Sequence, residues 1–102
     1  MDFKIFLSDQ ALSDLERIVA YIAPHNAVAA ERMGNRLLDA ALSLNAFPER
    51  GRMVPEFRRV ELREIIFRSY RIIYRINDAD KSVEIVRFWH GARGFPHIPR
   101  GS

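Results

Sequence analysis

The sequence contains no cysteine, and only two of its sixteen basic residues are lysines. Without cysteine the chain forms no disulfide, binds no zinc through thiolates and has no thiol nucleophile. A chain of 102 residues can still close a hydrophobic core, because disulfides or metals become necessary mainly below about 40 residues. We therefore expect a domain held together by packing, and the lack of cysteine fits a reducing cytoplasm as its location.

Long apolar runs and several common motifs are also missing. No apolar run approaches the ~20 residues that a membrane-spanning helix needs, and the first ten residues lack the segments of a signal peptide. The patterns GxGxxG, P-loop, HExxH and GxSxG do not occur, which argues against nucleotide and zinc-protease sites. His25, His90 and His97 lie in separate segments without ligand spacing. We therefore predict no membrane span, no cofactor and no metal.

Positive charge is concentrated in the second half of the chain. Residues 1–47 contain four basic and six acidic residues, whereas residues 48–102 contain twelve basic and seven acidic ones. Nearly all the cations are arginine, whose planar fork suits phosphate and carboxylate groups. The arginines at 50, 52, 58 and 59 form a cluster in a predicted loop. This distribution favours contact with a polyanion or an acidic protein, and the alternative is a solvated basic face.

The first half of the sequence has the periodicity of two amphipathic helices. The apolar stretch Phe3–Leu7 predicts a strand, and Ser8 can cap the helix that follows. Apolar residues at spacings of three and four then form one stripe on each helix: Leu12, Leu15, Ile18, Val19 and Ile22, and later Ala30, Met33, Leu37, Ala41 and Leu44. Pro24 ends the first helix and Asn26 can cap the second. The two helices are predicted to form an antiparallel hairpin.

The second half predicts a loop followed by three strands. The segment Phe47–Glu56 has two prolines and a glycine and is predicted to be a loop. Strands are predicted at Leu62–Phe67, Tyr70–Ile76 and Val83–His90, with a polar hairpin loop before the last one. The order β-α-α-β-β-β predicts an α+β fold, with two antiparallel helices packed on one face of a small, mainly antiparallel sheet.

One face of this predicted sheet has no helix to cover it. We expect a single domain over residues 1–95 and a loosely held tail over residues 96–102. Alternation places Arg71 and Arg75 on one side of their strand, and it places Phe88 and His90 on one side of the last strand. If both sets share the open face, they would combine phosphate contacts with aromatic stacking, as single-stranded RNA sites do.

Structural alternatives exist for each of these residues. His90 is suited to proton transfer near neutral pH, but it can equally terminate a strand and bond to the loop. Arg71 and Arg75 can pair across the sheet with Glu64 or Glu84. Trp89 is expected in the core rather than as a stacking platform.

The order of "SDQALSDLERIVAYI", "GRMVPE", "LREIIF", "YRIIYRI" and "WHGAR" resembles the RelE/ParE superfamily, the toxins of type II toxin–antitoxin (plasmid stabilisation) modules. The resemblance extends from Phe3 to Arg93. It implies a small cytoplasmic toxin that arrests growth and is held inactive in a hetero-oligomer by a cognate antitoxin. In this superfamily the antitoxin wraps a helix or extended segment around the toxin, and the helix hairpin is a suitable docking surface.

The resemblance implies two alternative activities. RelE-like members are ribosome-dependent endoribonucleases that cut mRNA through attack by the 2′-hydroxyl, and some use a Glu, Arg and His set. Arg71 and His90 match that arginine and histidine, and Glu56 or Glu49 would supply the carboxylate. The lysine cluster of other RelE-like nucleases is missing here. ParE-like members lack the catalytic set and inhibit DNA gyrase by protein contact, with an important C-terminal segment.

The two long helices, "GRMVPE" and the "HGAR" ending favour the ParE-like alternative. A third alternative is an inactive paralogue that only binds antitoxin. The predicted catalytic residues, if the protein is RelE-like, are Arg71, His90 and Glu56. The predicted target- or RNA-binding residues are Arg52, Arg58, Arg59, Arg75, Phe88 and Arg93.

Overall fold

The computed structural model describes residues 2–99, which form two helices and a five-stranded sheet. The elements are β1 (Lys4–Leu7), α1 (Asp9–Ile22), α2 (Ala27–Leu42), β2 (Arg52–Met53), β3 (Leu62–Phe67), β4 (Tyr70–Asn77) and β5 (Ser82–His90). Short 3₁₀ helices lie at Ser43–Asn45, Pro48–Arg50 and Gly91–Arg93. Within residues 2–99 no helix is both long and apolar enough to cross a membrane.

The sheet has the strand order β1-β5-β4-β3-β2. β1 runs parallel to β5, and the other neighbours are antiparallel. The predicted fold class and the two helix caps are confirmed: Ser8 accepts a hydrogen bond from the amide of Ala11, and Asn26 accepts one from the amide of Ala29. The one added strand is β2, which lies inside the predicted loop and pairs only with Arg63 and Glu64 of β3.

The helices pack their apolar stripes against one face of the sheet, although Leu12 of the predicted α1 stripe is 49% exposed. This helix-side core contains Ala11, Leu15, Leu37, Ala41, Leu44, Ile72, Tyr74, Val83, Ile85 and Phe88. Gly34 lies at the crossing of the two helices, where a Cβ would approach Val19 Cγ2 to 3.0 Å. The glycine therefore lets α1 and α2 approach each other closely, which offsets its low helix propensity.

The second face of the sheet is covered, although the sequence predicts that it is open. A separate cluster covers it, made of Val54, Leu62, Ile73, Val86 and Trp89, with Phe57 and Ile98 packed against it. Pro96 is buried, and the carbonyl of His97 accepts a hydrogen bond from Arg87 Nη1 at 2.7 Å. The packed chain therefore continues beyond the predicted boundary at residue 95, and residues 100–102 of the predicted loose tail lie outside the described residues.

A β-bulge in β5 determines which side chains share a face. Ile73 pairs with Arg87 but Tyr74 pairs with Ile85, so Val86 is an extra residue in the ladder. One extra residue reverses the alternation of everything beyond it. Phe88 and His90 consequently lie opposite Ile72 and Tyr70 on the helix side.

Helix α1 protects the outer edge of β5 beyond the end of β1. β1 pairs only with Ser82–Ile85, so the later residues of β5 have no neighbouring strand on that edge. The Ser8 hydroxyl donates to the carbonyl of Val86 at 3.1 Å, and Asp14 Oδ2 accepts from the amide of Phe88 at 3.1 Å. Side chains of α1 thus satisfy backbone groups that an exposed edge would offer to other chains.

Candidate functional site

Arg71 lies on the second face of the sheet and is held by two carboxylates. Its Nε donates to Glu64 Oε1 at 2.6 Å, and its two Nη atoms donate to Glu56 at 2.9 and 2.7 Å. The Glu64 side chain is fully buried and also accepts from Arg52 Nε at 2.7 Å. The guanidinium of Arg71 therefore has both edges of its fork occupied.

The pairing stabilises the charged forms of both partners. The hydrogen bond from Arg71 lowers the pKa of Glu56 below its ordinary value of 4.5, and the hydrogen bond to Glu56 raises the pKa of Arg71. Arg75 Nη1 similarly donates to Glu84 at 3.0 Å. The alternative in which Arg71 and Arg75 pair with Glu64 and Glu84 across the sheet is thus confirmed.

His90 ends β5 on the other side of the sheet. Its Nδ1 accepts a hydrogen bond from the amide of Ala92 at 3.1 Å, which caps the 3₁₀ helix that follows. Its ring meets that of Tyr70 edge to face, with centroids 5.1 Å apart. A ring that accepts at Nδ1 carries its hydrogen on Nε2 when neutral.

The structure brings Glu56 and Arg71 together but separates both from His90. Arg71 lies opposite Trp89 in the ladder, whereas His90 lies opposite Tyr70 on the helix side. The expectation that Arg71 and His90 share one surface is therefore wrong, and the bulge at Val86 is the reason. Phe88 is only 1% exposed within the helix-side core, so it offers no ring to a ligand.

The remaining predicted binding residues are dispersed. Arg58 is exposed with a φ of 53°, and Arg59 Nε lies 3.2 Å from a carboxylate oxygen of Glu61. The guanidinium carbon of Arg93 lies 3.9 Å from the centroid of the Trp89 ring. Trp89 itself is 4% exposed, which confirms its expected place in the core.

A cleft of about 470 Å³ lies between α1 and the ends of β4 and β5. We call it the α1–β5 cleft, and it is lined by Asp14, Arg17, Ile18, Tyr21, Tyr70, Phe88, His90 and Arg93. The sequence reasoning missed Arg17 and Tyr21, although both lie outside the apolar stripe of α1 at a spacing of four. That spacing places them on one exposed helix face, which was the available signal.

Asp14 of the cleft lining belongs to a buried ion pair, which was also not predicted from the sequence. Arg87 Nε and Nη2 donate to the two carboxylate oxygens of Asp14 at 2.7 and 2.8 Å, and both residues are 3% exposed. Asp14 lies three residues after Ala11 and four before Ile18, which is a core-facing position. A carboxylate at such a position requires a buried donor, and β5 supplies Arg87.

Comparison with known proteins identifies the family. Residues 5–95 match the family model described as the ParE toxin of the type II toxin–antitoxin system, parDE. Toxin RelE2 of Caulobacter vibrioides is 44% identical over 82% of this chain and 90% of its own length. Toxin RelE1 of the same bacterium is 36% identical over 89% of this chain and 96% of its own length.

Two solved structures share the fold. The toxin–antitoxin complex RelBE2 of Mycobacterium tuberculosis contains a chain with a TM-score of 0.68 and 22% identity, covering 88% of this chain and 99% of that one. The chromosomal ParDE system of P. aeruginosa gives a TM-score of 0.72 at 14% identity, covering 86% and 95%. The family model and the two Caulobacter relatives show that the chain belongs to the ParE/RelE family of type II toxin–antitoxin toxins.

Proposed function

We propose that this toxin arrests growth by binding DNA gyrase rather than by cutting mRNA. The observation that carries the proposal is the separation of Arg71 from His90 by the sheet itself. General acid–base catalysis requires the proton-transfer group within hydrogen-bond reach of the reacting atoms, and His90 faces away from the Glu56–Arg71 pair. Phosphorane stabilisation would also need a free arginine fork, and that of Arg71 is occupied.

mRNA cleavage is the second candidate, and one contact favours it. Glu56 and Arg71 form a bidentate pair, and the Glu56 side chain is 24% exposed. A phosphate that displaced Glu56 would meet the arginine and leave the carboxylate beside it as a base. This route would have to proceed without His90 at the same face.

We also infer a cognate antitoxin as partner, because the structural relative RelBE2 is a toxin–antitoxin complex. The outer groove between α1 and α2 is the surface that suits it, with small and apolar residues such as Ala23, Ala27 and Leu38 and a volume of about 550 Å³. An amphipathic helix lays its apolar face into grooves of this kind. Both candidate targets are cytoplasmic, so the proposed place of action is the cytoplasm.

The test has two readouts: inhibition of gyrase by the purified toxin, and the state of mRNA in cells that express the toxin. If the proposal is right, purified toxin inhibits supercoiling by gyrase in vitro, and primer extension finds intact mRNA in arrested cells. Glu56→Gln should then arrest growth like the unchanged protein. Cleavage of mRNA at ribosomal A-site codons, lost in Glu56→Gln, would instead establish the nuclease.

A further inference from the structure

We infer that the α1–β5 cleft is the surface through which the toxin contacts its protein target, and that it receives an acidic segment carrying an aromatic or aliphatic side chain. This inference rests on the proposed function, since it specifies where gyrase would be contacted. The cleft is distinct from the outer groove between the helices, because it lies where α1 meets the ends of β4 and β5.

The walls of the cleft are apolar and aromatic. Ile18 contributes aliphatic surface, while Tyr21 and Tyr70 provide two phenol rings. Tyr21 is 78% exposed, although it is a large residue on a helix. Tyrosine and arginine are the residues enriched where binding energy concentrates in protein interfaces. A volume of about 470 Å³ is enough to bury a few side chains of a partner.

The charge of the cleft favours an acidic partner. Arg17 and Arg93 contribute two cationic groups, and Asp14 is the single carboxylate in the lining. Asp14 is already neutralised by Arg87. Within residues 2–99, neither Arg17 nor Arg93 forms a salt bridge, since Arg17 donates only to the Ser13 hydroxyl and Arg93 stacks on Trp89.

This cleft differs from the arginine-rich second face. There Arg52, Arg71 and Arg75 are already paired with carboxylates of the same chain, so an incoming acid would have to displace one. At the cleft no such exchange is needed for Arg17 or Arg93.

Two side chains of the cleft, those of His90 and Arg93, are held in place before any partner arrives. The His90 ring is fixed by the amide of Ala92 and by Tyr70, and Arg93 is fixed by the Trp89 ring. Binding to fixed groups loses less side-chain entropy than binding to mobile ones.

A protein partner fits the cleft better than a nucleic acid does. Grooves that bind single strands follow the backbone with cations spread along several phosphates. Here the cations converge on one apolar pocket between a helix and two strand ends. Such a pocket matches one anchor side chain with acidic neighbours.

The test uses the double variant Arg17→Glu/Tyr21→Ser, since both side chains are exposed and lie outside the core. We expect the toxin concentration for half-inhibition of gyrase supercoiling to rise at least tenfold, a loss of about 1.4 kcal/mol. The melting temperature should stay close to that of the unchanged protein. The dissociation constant for the antitoxin should stay within twofold of the unchanged value. The matched control is Arg32→Glu/Phe47→Ser, which changes an exposed arginine and an exposed aromatic outside the cleft and should inhibit normally.

Each other outcome has a definite meaning. Unchanged inhibition by the cleft variant would overturn the inference, as would weakened antitoxin binding with inhibition retained. Binding of a fluorescent single-stranded oligonucleotide that is lost in the variant would assign the cleft to nucleic acid and also overturn the inference.

If the unchanged toxin does not inhibit gyrase, the proposed function fails, and growth arrest becomes the readout. Arrest lost in the variant with antitoxin binding intact then supports the cleft, and arrest retained rejects it.

Discussion

One buried hydroxyl, that of Tyr74, and one glycine, Gly51, fasten the loop between α2 and β2. The hydroxyl of Tyr74 donates to the carbonyl of Pro48 at 2.5 Å and accepts from the amide of Gly51 at 3.0 Å. Tyr74 is fully buried, so these backbone groups have little access to water. A Cβ at Gly51 would collide with the Tyr74 hydroxyl and the Glu64 carbonyl. This explains the glycine of "GRMVPE", which in the sequence alone marks only a loop.

Replacing Tyr74 by phenylalanine should therefore destabilise the protein without changing its core volume. The variant leaves two buried backbone groups unsatisfied, and we expect a loss of about 1–3 kcal/mol in the free energy of unfolding. Urea denaturation followed by circular dichroism measures it. Tyr21→Phe is the control, because Tyr21 is 78% exposed and should change stability little. Equal stability of the two variants would show that the Tyr74 hydroxyl does not fasten the loop.

At the scale of elements, periodicity predicted each helix and main strand, but it could not predict which side chains of β5 share a face. The caps at Ser8 and Asn26 and the strand Leu62–Phe67 agree between sequence and structure. The error came from one residue, because alternation in β5 holds only on either side of Val86. A bulge leaves no fixed signature in a run such as "VEIVRFWH", since it depends on the partner strand. The predicted surface containing Arg71 and His90 was lost for that reason.

Local sequence patterns also could not predict the contact between α1 and β5. Asp14 and Arg87 are separated by 73 residues, and their pairing depends on β1 ending before β5 does. Because β1 is short, the later part of β5 has an edge without a strand beside it. The helix that follows β1 is the nearest element that can cover this edge. Asp14 does so with its carboxylate while it also anchors the guanidinium that holds His97.

The substitution Asp14→Ala should therefore lower the free energy of unfolding strongly. It leaves the buried Arg87 guanidinium without its carboxylate, and breaking a buried pair on one side costs about 3–5 kcal/mol. Chemical denaturation should show this loss, whereas Glu16→Ala on the exposed side of α1 should stay within about 0.5 kcal/mol. The double variant Asp14→Leu/Arg87→Met should recover much of the loss, because neither charge then remains buried. A double variant no more stable than Asp14→Ala would mean that packing, rather than the unpaired charge, sets the cost.

At the scale of the whole molecule, the chain builds two cores on one sheet. The helices form the first, as the sequence predicts, and the second uses the segment after β2 and the C-terminal segment. Composition misleads here, because proline and glycine near the end suggest a loose tail. Yet Pro96 is buried and Ile98 packs against the cluster that contains Trp89. Burial of two residues in an irregular segment has no periodicity, so no pattern of spacing reveals it.

The C-terminal segment should therefore contribute to stability although it has no regular structure. A chain that ends at Gly94 loses the burial of Pro96 and Ile98 and the carbonyl that accepts from Arg87. We expect it to remain folded but to lose about 2–4 kcal/mol, a large part of the 5–15 kcal/mol typical of a domain. Thermal and urea unfolding would measure the loss. His97→Ala is the control, because its backbone carbonyl makes the contact and its exposed side chain can be removed with little effect. A truncated chain as stable as the full one would place the boundary back at residue 95 and make the segment available for binding alone.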